Sequence, residues 1–356
     1  MTASGKTWLC SALLLLSSLP ALAADAPVPP PVVHDGAHDF DFGFGVFKTH
    51  IKRLTHPLTG STTWIEWDGT VATRKLWDGK GQLEELEFGG PNGSHVEGMT
   101  VRLYNPEAQQ WNLYWVNSDD GTLGQPMIGE FKDGKGVFYD QEQFNGHVVL
   151  VRNIYSNASD HGYDFEQAFS ADGGKTWEPN FVANLAREAA DVSPEAEAPG
   201  LSAEEHAFDW QLGDWDVQMS RILHPLTGDK NWVPLKGTVD VDRIWGGKAN
   251  LAEIDVDGPS GKLQFLSLRL YNPAAKQWSL NFAGAGSGTF GTPLIGEFKD
   301  GRGDFYDQEP LDGREIMVRF SFLDITGDSG RDEQAFSGDY GKTWEVNWIN
   351  LHKRVK

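Results

Sequence analysis

The chain repeats itself, and that constrains its fold more than any single motif. His56-Pro57-Leu58-Thr59-Gly60 returns as His224-Pro225-Leu226-Thr227-Gly228, 168 positions later. After a one-residue gap near Pro91 the offset is 167: Arg102-Leu103-Tyr104-Asn105-Pro106 matches Arg269-Leu270-Tyr271-Asn272-Pro273, and Phe138-Tyr139-Asp140-Gln141-Glu142 matches Phe305-Tyr306-Asp307-Gln308-Glu309. A chain of 356 residues is thereby two copies of one domain, each large enough to bury its own core. The units span residues 38–187 and 206–356. The joint between them, residues 188–205, is acidic, rich in Pro and Ala and free of aromatics, which predicts a solvated linker.

Within a unit the apolar period is two. Met99, Val101 and Leu103 alternate with Thr100, Arg102 and Tyr104, and Leu266, Leu268 and Leu270 repeat the pattern against Ser267, Arg269 and Tyr271. Asp-Gly and Asn-Gly pairs such as Asp133-Gly134 and Asn145-Gly146 separate the alternating runs, as tight antiparallel hairpins require. No amphipathic helix of useful length is visible. The expected fold is all-β: two tandem antiparallel up-and-down barrels of about eight to ten strands each, because closure removes exposed strand edges.

Residues 1–23 read as a secretory signal peptide: Lys6, an uncharged apolar run, then Pro20-Ala21-Leu22-Ala23. A Pro-rich linker, residues 24–37, follows. The lone Cys10 would leave with the leader, which excludes disulfides, thiolate catalysis and Cys-ligated zinc together. The expected localisation is secreted or periplasmic. A net charge of -21 argues against nucleic acid and anionic membranes as partners, and no apolar run after the leader is long enough to span a bilayer. Nothing in the pattern specifies an oligomeric state.

Gly45-Val46-Phe47 and Gly213-Asp214-Trp215 open the two units, and Arg187 and Arg354 close them at matching positions. This resembles the calycin superfamily of lipocalin-like barrels, and the longer repeated runs resemble uncharacterised bacterial calycin-like domains of unknown function. The resemblance implies that the Phe47–Arg187 and Trp215–Arg354 pairs are structural, a cation stacked on an aromatic ring at one barrel end. Ser170-Ala171-Asp172-Gly173-Gly174-Lys175-Thr176-Trp177 and its copy through Asp339 and Trp344 resemble the Asp-box of sialidase-like propellers. The expected role is again structural: Asp caps the turn and Trp anchors the hairpin.

Polar residues kept in both copies are the candidates for a ligand pocket: Glu85 and Glu253, Arg102 and Arg269, Arg152 and Arg319, Glu166 and Glu333, Gln167 and Gln334. Facing inward, such groups would pair or meet a polar head group; facing outward, they would pair across strands. Trp115 and Phe282 would line an apolar pocket or simply fill core. The histidines supply no convergent ligand set, so no metal site and no cofactor are expected. No catalytic residue is assigned.

These features favour a non-catalytic protein holding a small apolar or amphipathic ligand in one or both barrels. An enzyme of carbohydrate or ester chemistry built on Glu85, Arg152 and Glu166 is the first alternative, and an envelope interaction or structural module with packed barrels the second.

Overall fold

The structure is a computed structural model and describes residues 35–355 apart from 91–92, 190, 192–196 and 260. The expected leader and the Pro-rich stretch before Asp35 lie outside the described residues. Ten strands form the first barrel: β1 (Gly45–Leu54), β2 (Trp64–Leu76), β3 (Gly81–Gly89), β4 (His95–Asn105), β5 (Gln110–Asn117), β6 (Met127–Lys132), β7 (Lys135–Phe144), β8 (His147–Ser159), β9 (Gly162–Ser170) and β10 (Glu178–Arg187). Each pairs antiparallel with its sequence neighbours, and β1 pairs with β10 to close the barrel. The second barrel repeats this with β11 (Gly213–Ile222), β12 (Trp232–Ile244), β13 (Ala249–Gly258), β14 (Gly261–Asn272), β15 (Gln277–Gly284), β16 (Leu294–Lys299), β17 (Arg302–Leu311), β18 (Arg314–Leu323), β19 (Ser329–Ser337) and β20 (Glu345–Arg354), closing β11 on β20. These are the tandem antiparallel up-and-down barrels that the alternation predicts.

The hairpin signals act as the turn chemistry requires. Asp133-Gly134 has φ of 53° and 76°, and Asn145-Gly146 has 50° and 79°, the two successive positive values of a turn matched to strand twist. At the opposite end of β9, Asp172 accepts hydrogen bonds from the Lys175 and Thr176 backbone N–H groups and from the Ser170 and Thr176 hydroxyls. Those donors hold the carboxyl down to about 2, and Asp339 behaves alike for the same reason.

One end of each barrel is plugged by the segment before its first strand. Phe40, just before the 3-10 turn Asp41–Gly43, and Phe208, within the 3-10 segment Glu205–Gln211, are fully enclosed, each with aromatic edges around it. The plug of the first barrel begins earlier than residue 38: Ala37 is buried and the Gly36 carbonyl accepts the indole N–H of Trp111, so residues 35–37 belong to the barrel and not to a linker. In the joint, Ala198 donates to the Gly246 carbonyl, and Ser202 and Glu205 cap each other's backbone N–H groups. Its described C-terminal part is thus seated on the second barrel, where a solvated stretch was expected.

The barrels share a core. Met99, Val101 and Leu103 point out of the first barrel, where they pack with Leu83 and Val116 against Leu251, Leu266, Leu268 and Leu270 of the second. The contact is pseudo-two-fold. A Cβ on Gly121 would lie 1.9 Å from the Tyr271 carbonyl oxygen, and one on its counterpart Gly288 would lie 2.0 Å from that of Tyr104. Equivalent positions meet near such an axis. Arg74 and Asp242 are equivalents, and they form an ion pair at 2.9 Å. In a symmetric dimer that position would set like charges against each other.

Candidate functional site

Strand parity decides which candidates enter a barrel. Arg102 points inward and is 1% exposed, paired with Glu84, hydrogen-bonded to Gln82 at 3.2 Å and stacked on Phe40 at 4.7 Å. Arg269 also points inward and stacks on Phe208 at 4.8 Å. The residue matching Glu84 is Ala252, however, so among the described residues Arg269 keeps only Asn250 as a hydrogen-bond acceptor, at 3.2 Å. Burial lowers its pKa to about 10, with Asp332 opposing the shift. The first barrel therefore neutralises its internal cation directly, and the second leaves it without a carboxylate in contact.

The second barrel contains a cavity of about 270 Å³. Its walls are apolar and largely aromatic, with Ile254, Phe265, Phe282, Phe320 and Trp348 among them, and Gln334 also borders it. Arg221, stacked on Trp348 at 5.4 Å, lines it beside these walls. Its polar lining also includes Gln211, Arg269, Asp332, Asn350 and His352. Asp332 accepts from Asn350 Nδ2 and is bonded to His352 Nε2. A carboxylate only accepts, so Nε2 carries a proton, and in the neutral imidazole His352 Nδ1 presents a lone pair.

The matching positions in the first barrel are Gly43, Phe165, Ala183 and Leu185 for Gln211, Asp332, Asn350 and His352. Phe165 packs on Tyr155 at 5.1 Å and on Phe181 at 5.9 Å, so apolar contact replaces the polar cluster there. Comparing the copies for identity misses this cluster. Comparing them for polar-for-apolar exchange at inward positions finds it.

The other candidates fall elsewhere. Glu85 and Glu253 point outward, toward the junction of the barrels: Glu253 pairs with Arg74 at 2.8 Å, and Glu85 lines a charged groove of about 590 Å³ with Arg74, Asp242 and Arg243. Arg152 lies on the outer wall, stacked on Trp177 at 4.7 Å and 3.4 Å from Glu166; Arg319 stacks on Trp344 at 4.8 Å, and Glu333 pairs with Arg331 at 2.6 Å. Glu85, Arg152 and Glu166 therefore do not form one constellation: Arg152 and Glu166 pair on β8 and β9, whereas Glu85 on β3 faces the junction of the barrels. Gln167 sits opposite Asn153, and Trp115 lies over Gly98 and remains 43% exposed. Arg187 stacks on Phe47 at 4.6 Å and Arg354 on Trp215 at 4.2 Å, while their guanidinium N–H groups donate to plug carbonyls including those of Phe42 and Trp210.

Two further groups stand out. The repeated Phe-Tyr-Asp-Gln-Glu run places Asp140 and Asp307 at inward positions, the latter between Val318 and the residue before Ile295 on neighbouring strands. Desolvation, reinforced by Glu142 and Glu309, raises them to about 7 and about 8. Among the described residues Glu197, His206 and Asp209 bring potential metal-ligand atoms within 4.8 Å of one another. Arg243 already pairs with Glu197 at 3.2 Å and His206 with Asp209 at 2.7 Å, so the group is internally satisfied. No helix of the described residues is long and apolar enough to cross a membrane.

No family model and no curated protein matches this chain. Among solved structures it is similar to a protein of unknown function from the DUF3598 family of Nostoc punctiforme, at 13% identity over 90% of this chain and 99% of that one, with a TM-score of 0.27. It is also similar to an S-type phycobiliprotein lyase of Guillardia theta, at 11% identity over 44% and 99%, TM-score 0.31. A transferrin binding protein B mutant from Haemophilus parasuis matches at 9% identity over 87% and 76%, TM-score 0.19. Superpositions this loose carry no functional weight, and the fold rests on the strand pairing itself.

Proposed function

We propose that this protein binds a small amphipathic molecule, that the second barrel holds it, and that the first barrel is a filled structural partner. The leader-like residues 1–23 add the proposal that it works outside the cytoplasm. The observation that carries the reading is the cavity of about 270 Å³, with aromatic walls and a polar cluster that the first barrel lacks. Its size is near the lower limit for small-molecule sites and suits a compact ligand better than a long acyl chain. Mass spectrometry of the organic extract of purified protein, with fluorescence titration of 1-aminoanthracene, tests it. Ile254→Trp should fill the cavity and abolish binding of the fluorophore. Equal binding by that variant would place the ligand elsewhere, and no binding by the wild type would sink the proposal.

A further inference from the structure

Four buried polar atoms belong to residues that line this one cavity, and within the described residues none has a hydrogen-bond partner: Gln211 Oε1, Arg221 Nε, Arg269 Nε and His352 Nδ1. Gln211, Arg269 and His352 are 1%, 3% and 5% exposed. A buried polar group left unsatisfied is costly, so this grouping around one apolar space marks a place where a ligand can supply missing partners. Their chemistry is specific. His352 Nδ1 and Gln211 Oε1 accept, whereas Arg269 Nε donates and carries a charge that no carboxylate touches.

We infer that the cavity recognises an aromatic weak acid, a phenol-like hydroxyl on a compact apolar body, and takes it as the anion. This rests on the reading that the second barrel's cavity holds a ligand. In the bound state the ligand's O–H bond breaks, its proton passes to His352 Nδ1, and its oxygen accepts from Arg269 Nε–H. The imidazolium so formed is held through Nε2 by Asp332, whose other carboxylate oxygen accepts from Asn350 Nδ2. Net charge within the site is unchanged by this transfer, since one proton moves from ligand to histidine.

Every charged group lining the cavity fits this account. Asp332 on β19 stabilises the protonated His352 on β20, Arg269 on β14 stabilises the anion, and Arg221 on β11 adds a second positive charge beside the aromatic wall. A neutral apolar molecule would leave all four unpartnered atoms as they are. The aromatic body would lie among Phe265, Phe282 and Phe320.

The test compares 4-nitrophenol, whose anion absorbs in the visible, with 4-nitrotoluene, which has the same apolar body and no hydroxyl. At a pH about one unit below the free phenol's own midpoint, binding to the full chain should generate the visible anion band, and 4-nitrophenol should bind about tenfold or more tightly than 4-nitrotoluene. His352→Gln and Arg269→Gln should each lose the band and most of that preference, while retained 4-nitrotoluene binding shows that the cavity is intact. Equal affinity for the two compounds with no band would overturn the inference and leave the ligand-binding reading standing. A band that survives in both variants would overturn the roles assigned to His352 and Arg269. Failure of both compounds to bind would remove the inference together with the reading beneath it.

Discussion

Asp307 offers the sharpest energetic test, because its side chain is 8% exposed and its pKa stands at about 8, pushed up mainly by burial and then by Glu309. An acid whose folded pKa is raised is held neutral by the fold. As pH rises from about 4, the unfolded chain loses this proton while the folded chain keeps it, so stability falls until pH passes the folded value. The slope is at most about 1.36 kcal/mol per pH unit, which sets a ceiling of about 4 kcal/mol between pH 5 and 8. Relaxation and sharing of the burden with Glu309 reduce this to on the order of 2 kcal/mol. Asp307→Asn removes the titration. Relative to wild type it should therefore gain about 2 kcal/mol between pH 5 and pH 8, read from urea unfolding at both values. Asp304 on the same strand is the control: burial works against its charge, but Arg302 and Ser321 hold its carboxyl below the usual range, so the deficit of Asp304→Asn relative to wild type should develop as pH rises toward about 4 and stay constant between pH 5 and pH 8. If Asp307→Asn changes stability equally at the two pH values, the carboxyl is not held neutral and the reasoning fails.

Other perturbations have equally definite outcomes. Glu84→Ala strands Arg102 in a site with no other carboxylate in contact and should cost the first barrel about 3–5 kcal/mol, measured by thermal unfolding. Gly288→Val drives a side chain into the Tyr104 carbonyl at a φ of 62°, and should separate the barrels enough to raise the radius of gyration in X-ray scattering. Asp172 is held at about 2 by its turn donors, so its stabilisation is present above about pH 4 and fades as pH falls toward 2; Asp172→Asn should flatten that part of the acid unfolding curve.

Much of the fold was legible because backbone chemistry wrote it locally. The Asn145-Gly146 and Asp133-Gly134 pairs fix hairpins, and the period of two fixes strands. Period alone does not say which face is inside. Met99, Val101 and Leu103 look like the interior of a barrel, yet they face the other barrel, while Thr100, Arg102 and Tyr104 fill the lumen. Both faces of β4 are buried, and only the packing of two closed sheets can produce that.

The site was less legible for a related reason. Identity between the copies selected residues that the shared architecture needs: Arg102 and Arg269 support the plugs, Arg152 and Arg319 the Asp-box tryptophans. The residues that distinguish the second barrel, Asp332, Asn350 and His352, are those at which the copies disagree. Asn350 and His352 alternate on one strand with Asp332 opposite Asn350 on the next, but Asp332 is 18 and 20 positions from them in sequence, so no linear motif joins the three.

The reciprocal seating of Gly121 on Tyr271 and Gly288 on Tyr104 has a consequence for concentration. Two separate barrels would meet only as often as their dilution allowed, and a marginal contact between them would dissolve in a large volume. A covalent joint of fewer than about twenty residues fixes the local concentration of one barrel around the other in the millimolar range, whatever the surroundings. The contact then need not be strong to be permanent, and its composition is free to drift toward asymmetric pairs such as Arg74 and Asp242. A protein diluted without limit would keep its two barrels together without any partner to find.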